Sequence, residues 1–279
     1  MASIALQPQH DQVQLQLQPS APATAAATIA ASYGGAVAVE RLGTVLGVTA
    51  DRNASTGKLY GGSRITWESS PSAASGLTCT SDTTATSGNL SYVVTAGHCG
   101  HAGYWFMGSF GSPEGTGQRN GFYGANTTSC DCTLFGPVTN NVAASSSQVI
   151  VNGGALYSFT SYAQASGDYY IGEPACISGV TTNADICDQI RSNSASYVGN
   201  ELGKTTTMQN LIEFYCPDRG GDSGAPIGNG PRWLGINSGG YNQEGTSNSC
   251  GSSSQGEVLA SQVAYLYSVT GGVPNLPAR

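Results

Sequence analysis

The sequence predicts an all-β protein, and three observations lead to that expectation. Short runs rich in β-branched and aromatic residues alternate with glycine, serine and asparagine turns along most of the chain, which is typical of sandwiches and barrels. Charged residues make up only 10% of the 279 positions, too few for a coiled coil or a long helical bundle. Apolar residues at helical spacing occur only at 257–268, so a short C-terminal helix is expected there. The clearest predicted strands span 90–95, 104–107, 133–135, 148–151, 155–159, 169–171, 211–215, 233–236 and 258–260.

The first 58 residues have a different composition from the rest of the chain. Residues 7–32 are rich in glutamine, proline and alanine, and so little apolar bulk predicts disorder. Residues 35–49 indicate two short strands. The start of the chain lacks the basic region and long apolar run of a secretory signal. We therefore expect residues 1–58 to be a partly disordered leader or pro-segment.

Charge and cysteine content narrow the class of protein. A net charge of −7 disfavours a nucleic-acid partner, which requires a basic face, and no apolar run is long enough to span a membrane. Eight cysteines indicate disulfides and an oxidising, extracellular location. Their spacing relative to the histidines does not fit a zinc site, so we expect no metal and no cofactor.

A glycine-rich stretch after Cys216 carries the strongest chemical signal. In Gly221-Asp-Ser-Gly224, the glycines permit a tight turn that brings backbone N–H groups close to a ligand. Such a turn would present the Ser223 hydroxyl outward, with the N–H groups of Gly221 and Ser223 directed at one point. This is the layout of a nucleophile beside an oxyanion hole, although an ordinary polar turn uses the same residue types.

Two upstream residues complete a catalytic hypothesis. His98 follows the predicted strand at 90–95, and Asp131 precedes the one at 133–135. Taken alone, His98 could be an ordinary packed histidine, and Asp131 could be a solvated acid in a turn. Together with Ser223 they give the order histidine, aspartate, serine of one type of catalytic triad. The rival acids, Asp168 and Asp185, lack the strand context of Asp131.

Two longer blocks then carry a family resemblance. Thr95-Ala-Gly-His-Cys99 and Gly221-Asp-Ser-Gly-Ala-Pro226 resemble the signature segments of the chymotrypsin-fold serine peptidases. Residues 171–182 and 237–240 resemble segments of the bacterial branch, that of the streptogrisins and alpha-lytic protease. The resemblance covers about residues 59–268. It implies two six-stranded antiparallel Greek-key barrels packed together, with the triad at their seam.

The resemblance also implies a role for each site residue. Ser223 would attack the scissile carbonyl, His98 would transfer its proton, and Asp131 would hold the histidine. The N–H groups of Gly221 and Ser223 would stabilise the oxyanion. By the same resemblance, Ser238 would support Asp131. The residues expected to bind substrate are Asn237, Ser238, Gly239 and Gly240.

Six cysteines pair by the same resemblance, and two are left over. Strand residues two apart have Cα atoms about 6.6 Å apart, near the upper limit for a disulfide. For Cys130 and Cys132 we therefore favour reduced thiols over a strained bridge. The pairs implied by the resemblance are Cys79–Cys99, Cys176–Cys187 and Cys216–Cys250.

Two features depart from the family pattern. The acid before the serine, Asp222, is expected to be buried and to need a cation, but Ile177 stands where the bacterial relatives have arginine. Phe214 stands where trypsin-like members carry the acid that selects basic substrates, so that selector is missing. Either Glu257 or Glu213 supplies a charge at the base of the pocket, or both glutamates are solvated. The candidate cations for the buried acid are Arg191, Arg219, Arg232 and a new amino terminus at Leu59, if processing cleaves after Lys58.

These observations predict a secreted, monomeric serine endopeptidase. Its N-terminal barrel, residues 59–145, would carry His98 and Asp131, and its C-terminal barrel, residues 146–279, would carry Ser223. Its partners would be protein or peptide substrates and protein protease inhibitors. The alternatives are a catalytically silent binding protein of the same fold and an esterase with the same triad.

Overall fold

The computed structural model describes residues 3–7, 12–17, 22, 24–41, 46–54, 58–70, 76–108, 115–138, 143–240 and 248–276. Strands dominate these ranges, and the three α-helices are α1 (Ala25–Tyr33), α2 (Gly121–Gly124) and α3 (Leu266–Thr270). The strands before residue 140 are β1 (Ser3–Gln7), β2 (Gln12–Leu17), β3 (Val37–Arg41), β4 (Leu46–Thr49), β5 (Lys58–Gly61), β6 (Arg64–Glu68), β7 (Leu77–Thr80), β8 (Thr84–Ser87), β9 (Leu90–Thr95), β10 (Tyr104–Met107), β11 (Gly115–Asn120), β12 (Thr127–Thr128) and β13 (Thr133–Gly136). The later strands are β14 (Ala143–Ile150), β15 (Ala155–Ser158), β16 (Ser161–Tyr162), β17 (Pro174–Ser178), β18 (Asp185–Gln189), β19 (Ser192–Glu201), β20 (Lys204–Phe214), β21 (Pro226–Asn229), β22 (Arg232–Gly239), β23 (Val258–Gln262) and β24 (Val273–Pro274).

The N-terminal region is more ordered than its composition predicts. β1 pairs antiparallel with β2, and β2 pairs parallel with β3, so that α1 connects the two parallel strands. The apolar residues of β2 fall at alternate positions, which is a strand signal within a stretch otherwise poor in apolar bulk. The described residues of this region therefore contradict the disorder predicted for residues 7–32.

The first of the two large sheets carries the histidine and aspartate of the predicted triad. Its strand order is β24-β8-β9-β13-β11-β10-β6-β7, and every neighbouring pair is antiparallel. Apolar side chains fill its interior, and the rings of Trp105 and Phe135 stack there with centroids 4.2 Å apart. The sheet exceeds the predicted six strands, partly because the C-terminal strand β24 adds to its edge beside β8.

The second large sheet carries the predicted nucleophile. Its order is β12-β20-β23-β22-β21-β17-β18, with β16 beside β22 and β19 beside β20. A second apolar core, which includes Phe214, Trp233 and Ile236, lies against it. The all-β fold and the short C-terminal helix are thus confirmed.

Two predicted elements differ in detail from the structure. The predicted strand at 258–260 is part of β23, which replaces the beginning of the expected helix at 257–268, and the helix itself, α3, begins only at Leu266. Every residue of β23 is buried between β20 and β22, so the strand lacks the alternation of a half-exposed strand. The predicted strand at 169–171 lies in a turn, where the Tyr169 hydroxyl accepts a hydrogen bond from the Ala264 N–H at 3.2 Å.

A smaller sheet joins the N-terminal segment to the middle of the chain. Its order is β4-β15-β14-β5, so β14 runs across the predicted boundary at residues 145 and 146. Strand β4 pairs with β15, and the Ala50 N–H donates to the Gly154 carbonyl at 2.7 Å. The division of the chain at residues 58 and 145 stays a prediction. Within the described residues, no helix combines the length and the apolar character needed to cross a bilayer.

Candidate active site

His98 lies in a single 3₁₀ turn, Gly97–Cys99, directly after β9. The Cys79–Cys99 disulfide ties this turn to β7. The histidine N–H donates to Asp131 Oδ1 at 2.8 Å, and Nδ1 lies 2.6 Å from Asp131 Oδ2. The turn can approach the acid this closely because residue 97 is glycine, where an added Cβ would come within 2.8 Å of Asp131 Oδ1. Backbone and ring together fix the orientation of the imidazole.

Asp131 is fully buried just before β13 and is held from the second sheet. Its backbone N–H donates to Ser261 Oγ at 2.8 Å, and the Ser261 hydroxyl lies 2.6 Å from the Ser238 hydroxyl. Ser238, predicted to support the aspartate, therefore acts through Ser261. The sequence did not identify Ser261, because the predicted strand at 258–260 ends before this residue and the predicted helix at 257–268 includes it.

The two cysteines beside Asp131 form a disulfide, so the preference for reduced thiols was wrong. They lie before β13 rather than within a strand. Their Cα atoms are consequently 5.2 Å apart, shorter than the strand spacing assumed for residues 130 and 132. The three disulfides expected from the resemblance are also present: Cys79–Cys99, Cys176–Cys187 and Cys216–Cys250.

The electrostatic environment raises the pKa of His98 above its ordinary value. Burial alone would lower this pKa, but the charge of Asp131 and its hydrogen bond outweigh burial, with smaller contributions from Glu201 and Asp218. The buried carboxylate thus favours the protonated imidazole. A histidine that accepts a proton during a reaction would be stabilised in that form.

Ser223 lies in the turn between Cys216 and β21, and the first sheet holds this turn in place. The Thr80 N–H donates to the Ser223 carbonyl at 2.8 Å, and the Thr80 hydroxyl donates to the Gly221 carbonyl at 2.7 Å. The Asp222 N–H turns inward to the Arg219 carbonyl at 2.8 Å. Among the described residues, the N–H groups of Gly221 and Ser223 have no acceptor within the chain. Two neighbouring donors are therefore left to bind an anionic oxygen.

The carboxylate of Asp222 is fully buried and is bound by hydrogen-bond donors rather than by a predicted cation. It accepts from the N–H of Thr181 at 2.7 Å, from the N–H and hydroxyl of Thr182, and from the N–H of Arg219. Three predicted cations have other partners: the Arg191 guanidinium bonds to Asp188, that of Arg232 bonds to Glu173, and Nη1 of Arg219 donates to Asn248.

His98 and Ser223 line the same cleft, whose volume is about 220 Å³. In this conformation no hydrogen bond joins the Ser223 hydroxyl to the imidazole of His98, although both residues lie within the described ranges. Such bonds often tighten only when substrate binds. Ser238, Gly239 and Gly240 also line the cleft.

The acids in the cleft differ from the two glutamates proposed from the sequence. Glu201 and Asp218 line the cleft, whereas Glu213 and Glu257 are not among its lining residues. Asn237, expected to contact substrate, is fully buried, and its side-chain amide donates to Asp218 Oδ1 at 2.9 Å. Burial, and then the charge of Asp222, raise the pKa of Asp218 to about 7. Asp218 falls in an insertion relative to the family pattern, so the resemblance could not identify it.

The described residues contain one cluster of side chains of the metal-binding type, Cys176, Asp185 and Cys187. Both of its cysteines are used in a disulfide. A thiolate is the form of cysteine that binds a metal, so this cluster does not provide a metal site.

Solved structures of other proteins share the fold described above. Solved structures similar to the chain include a glutamic acid-specific serine protease, with 24% identity, a TM-score of 0.58 and coverage of 77% of this chain and 98% of that one. Thermobifida fusca Protease A has 22% identity, a TM-score of 0.57 and coverage of 78% and 100%. A Nocardiopsis protease has 21% identity, a TM-score of 0.57 and coverage of 77% and 98%. At these identities the likeness establishes the fold, which is the trypsin-like fold that the sequence predicted.

Family assignment rests on a separate comparison. A search of curated protein sequences finds no match. The family model described as trypsin matches residues 59–253, well over half of the chain, and includes both signature blocks around His98 and Ser223. The chain therefore belongs to the trypsin family and is a serine-type endopeptidase.

Proposed function

We propose that this protein is a secreted endopeptidase that cleaves peptide bonds through a covalent acyl-enzyme formed on Ser223. The Ser223 hydroxyl oxygen attacks the scissile carbonyl carbon while His98 Nε2 takes the hydroxyl proton. The carbonyl oxygen becomes an oxyanion and accepts hydrogen bonds from the N–H groups of Gly221 and Ser223. The C–N bond then breaks as the imidazolium gives its proton to the leaving amine. Water, deprotonated by the same imidazole, attacks the acyl carbon and releases the acid.

One observation carries this proposal: His98, which contacts the buried Asp131, lines the same cleft as Ser223, whose turn carries two unpaired backbone donors. The 2.6 Å contact between His98 and Asp131 supports their pairing as base and orienting acid. The shared cleft supports His98 as the base for Ser223. The raised pKa of His98 further supports the transient imidazolium that this chemistry requires.

Substrate would bind as an added strand along the end of β22. Among the described residues, β22 pairs with β21 only as far as Ile236, while on its other side Gly239 still pairs with Leu259 of β23. One edge of residues 238–240 is therefore available for backbone hydrogen bonds to a peptide. Protein and peptide substrates, and protein inhibitors that mimic them, would use this edge, and the enzyme would act as a monomer.

Secretion is proposed from the four disulfides, because such bonds persist in oxidising compartments. The proposed site is tested with a fluorophosphonate probe on the purified full chain. We expect one label per molecule, located on Ser223 by peptide mapping, and hydrolysis of casein. Ser223→Ala and His98→Ala should lose both label and hydrolysis, while the exposed Ser254→Ala, a matched serine control, should keep both.

Two other results would each indicate a different function for this protein. Absence of label and of hydrolysis in the wild type would indicate a silent binding protein. Labelling with turnover of small esters, but of neither casein nor peptides, would indicate an esterase. Either result would overturn the proposed function.

A further inference from the structure

Arg52 is a buried cation contributed by the segment before the family-matched region. It follows β4 in a short turn and is only 4% exposed. Nη1 donates to the carbonyl of Gly62 at 2.9 Å and to that of Ser178 at 3.3 Å. Nη2 donates to the carbonyl of Ile150 at 2.8 Å and to Ser178 Oγ at 2.8 Å. One guanidinium thus joins three separate parts of the chain.

These acceptors are all neutral, so burial of the guanidinium has an electrostatic cost. Burial lowers the pKa of Arg52 to about 10, although the charges of Asp185 and Asp222 act in the opposite direction. A buried guanidinium that remains charged is stabilised by a negative charge nearby. Asp222 is one of the two acids whose negative charge favours the charged guanidinium. Its carboxylate is itself buried, and no cationic side chain of the described residues contacts it.

A short piece of backbone lies between Arg52 and Asp222. Ser178, which accepts two bonds from Arg52, is followed by Gly179, where an added Cβ would overlap Asp222 Oδ1. Thr181 and Thr182, on the same segment, donate their N–H groups to the Asp222 carboxylate. The guanidinium therefore holds one end of residues 178–182, and the carboxylate before the nucleophile holds the other.

The segment that carries Arg52 is attached along its length to the family-matched region. Leu46 and Thr49 of β4 pair with Leu156 and Ala155 of β15. The Arg52 carbonyl accepts from the N–H of Arg64 at 2.6 Å. Residues 46–54 are thus joined to the family-matched region through the backbone of the smaller sheet and through Arg52.

From this geometry we propose that Arg52 is a positioning residue for the oxyanion hole and that residues 46–54 belong to the active enzyme. The inference rests on the proposed role of the Gly221 and Ser223 N–H groups. Arg52 fixes residues 178–182, these residues fix the Asp222 carboxylate, and the carboxylate fixes the turn that directs the two donors. No new amino terminus at Leu59 is needed to supply the cation.

The test compares substitutions of the buried Arg52 and of the partly buried Arg232 in the full chain. Because loss of one oxyanion donor lowers kcat by about 10²–10³, a displaced turn in Arg52→Gln should lower kcat about 10–100-fold and change KM less than about threefold. Arg52→Lys, which keeps the charge, should recover most of this loss. Arg232→Gln removes a partly buried arginine, bound to Glu173 at the far end of β22, and should lower the melting temperature without lowering kcat per titrated site.

Kinetics are measured well below each melting temperature, per active site titrated with fluorophosphonate, so that unfolded protein is not counted. An Arg52→Gln kcat within about twofold of wild type would overturn the inference. A wild type that takes no label would instead overturn the proposed function, so the two failures are distinguishable.

A second measurement covers the case in which Arg52→Gln does not fold. Native mass spectrometry of fluorophosphonate-labelled wild type should show residues 46–58 in the active species, covalently or as a retained fragment. A labelled species that begins at Leu59 and has lost residues 46–58 would overturn the inference.

Discussion

The Nδ1 atom of His98 lies 2.6 Å from Oδ2 of Asp131, while the backbone N–H of the same histidine donates to Oδ1 at 2.8 Å. Both carboxylate oxygens are therefore used by one residue. This arrangement leaves Nε2 of the imidazole for the cleft, where Ser223 lies. The pair couples the protonation of the histidine to the charge of the aspartate.

Asp131→Asn should reduce catalysis and also shift its pH dependence. An amide would favour the wrong histidine tautomer, and loss of such an acid costs about 10⁴ in kcat in serine proteases. Because Asp131 raises the pKa of His98, and because the neutral imidazole is the active base, wild-type kcat/KM should rise with pH through that raised pKa. Without the carboxylate, the rise should occur at lower pH.

The measurement is the pH profile of kcat/KM for a peptide substrate from pH 4 to 9. Asp168→Asn is the matched control, since Asp168 is a partly exposed acid that accepts hydrogen bonds from the backbone N–H groups of Gln164 and Ala165. Its profile should match that of the wild type. An acid limb that stays in place in Asp131→Asn would contradict the assignment of this carboxylate.

Ser261→Ala should weaken both the fold and the site. The substitution leaves the buried N–H of Asp131 without its acceptor and removes the partner of the Ser238 hydroxyl. A buried unsatisfied donor costs about 1–3 kcal/mol, which urea unfolding would detect as a lower midpoint. We also expect a lower kcat, because the Asp131 backbone is released. The exposed Ser268→Ala, which removes only a bond to the nearby Tyr265 carbonyl, should change neither quantity.

The residues of the proposed triad could be named from the sequence because their local sequence carries the turn chemistry that such a site needs. Gly97 lets His98 approach the acid, and the glycines around Ser223 let the nucleophile turn project into the cleft. The residues that hold these turns were not predictable. Ser261 reaches Asp131 across 130 positions, and Arg52 reaches Ser178 across 126.

Single-sequence patterns carry no information about such distant pairs, so the support of the site emerged only from the structure. The strand β23 was predicted only over residues 258–260, and its last two residues were assigned to the predicted helix at 257–268. Burial on both of its faces removes the alternation from which a half-exposed strand is recognised. The Cys130–Cys132 bridge was missed because strand geometry was assumed for residues that precede the strand.

Gly224→Ala should be far more destabilising than an equivalent change on the surface. Gly224 has a φ of +85°, and an added Cβ would overlap the Thr95 hydroxyl and the Thr80 carbonyl. Gly203, in the β19–β20 turn, has a φ of +78° with nothing within 4 Å of an added Cβ. Left-handed backbone costs alanine about 1–2 kcal/mol at either site, and overpacking should add about 1–3 kcal/mol at Gly224.

Urea unfolding of both variants isolates the contribution of the close approach between sheets. Gly203→Ala should keep full activity per titrated site, whereas Gly224→Ala should lose it, because its turn contains the nucleophile. Equal unfolding midpoints for the two variants would show that the turn is not packed as tightly as the structure indicates.

Asp218 should make recognition of basic side chains dependent on pH. Its pKa of about 7, raised by burial and by Asp222, means that this carboxyl group, which lines the cleft together with that of Glu201, is mostly neutral at pH 5.5 and ionised at pH 8.5. A charged hydrogen bond contributes about 1.5–3 kcal/mol, so a peptide that places lysine or arginine in the cleft should bind about tenfold or more tightly at the higher pH.

The inactive Ser223→Ala variant permits direct measurement of Kd by fluorescence anisotropy. A norleucine peptide controls for the titration of His98, and Asp218→Asn should abolish the difference between the two peptides. If the lysine and norleucine peptides respond equally to pH in the presence of Asp218, this carboxylate does not contact the substrate side chain.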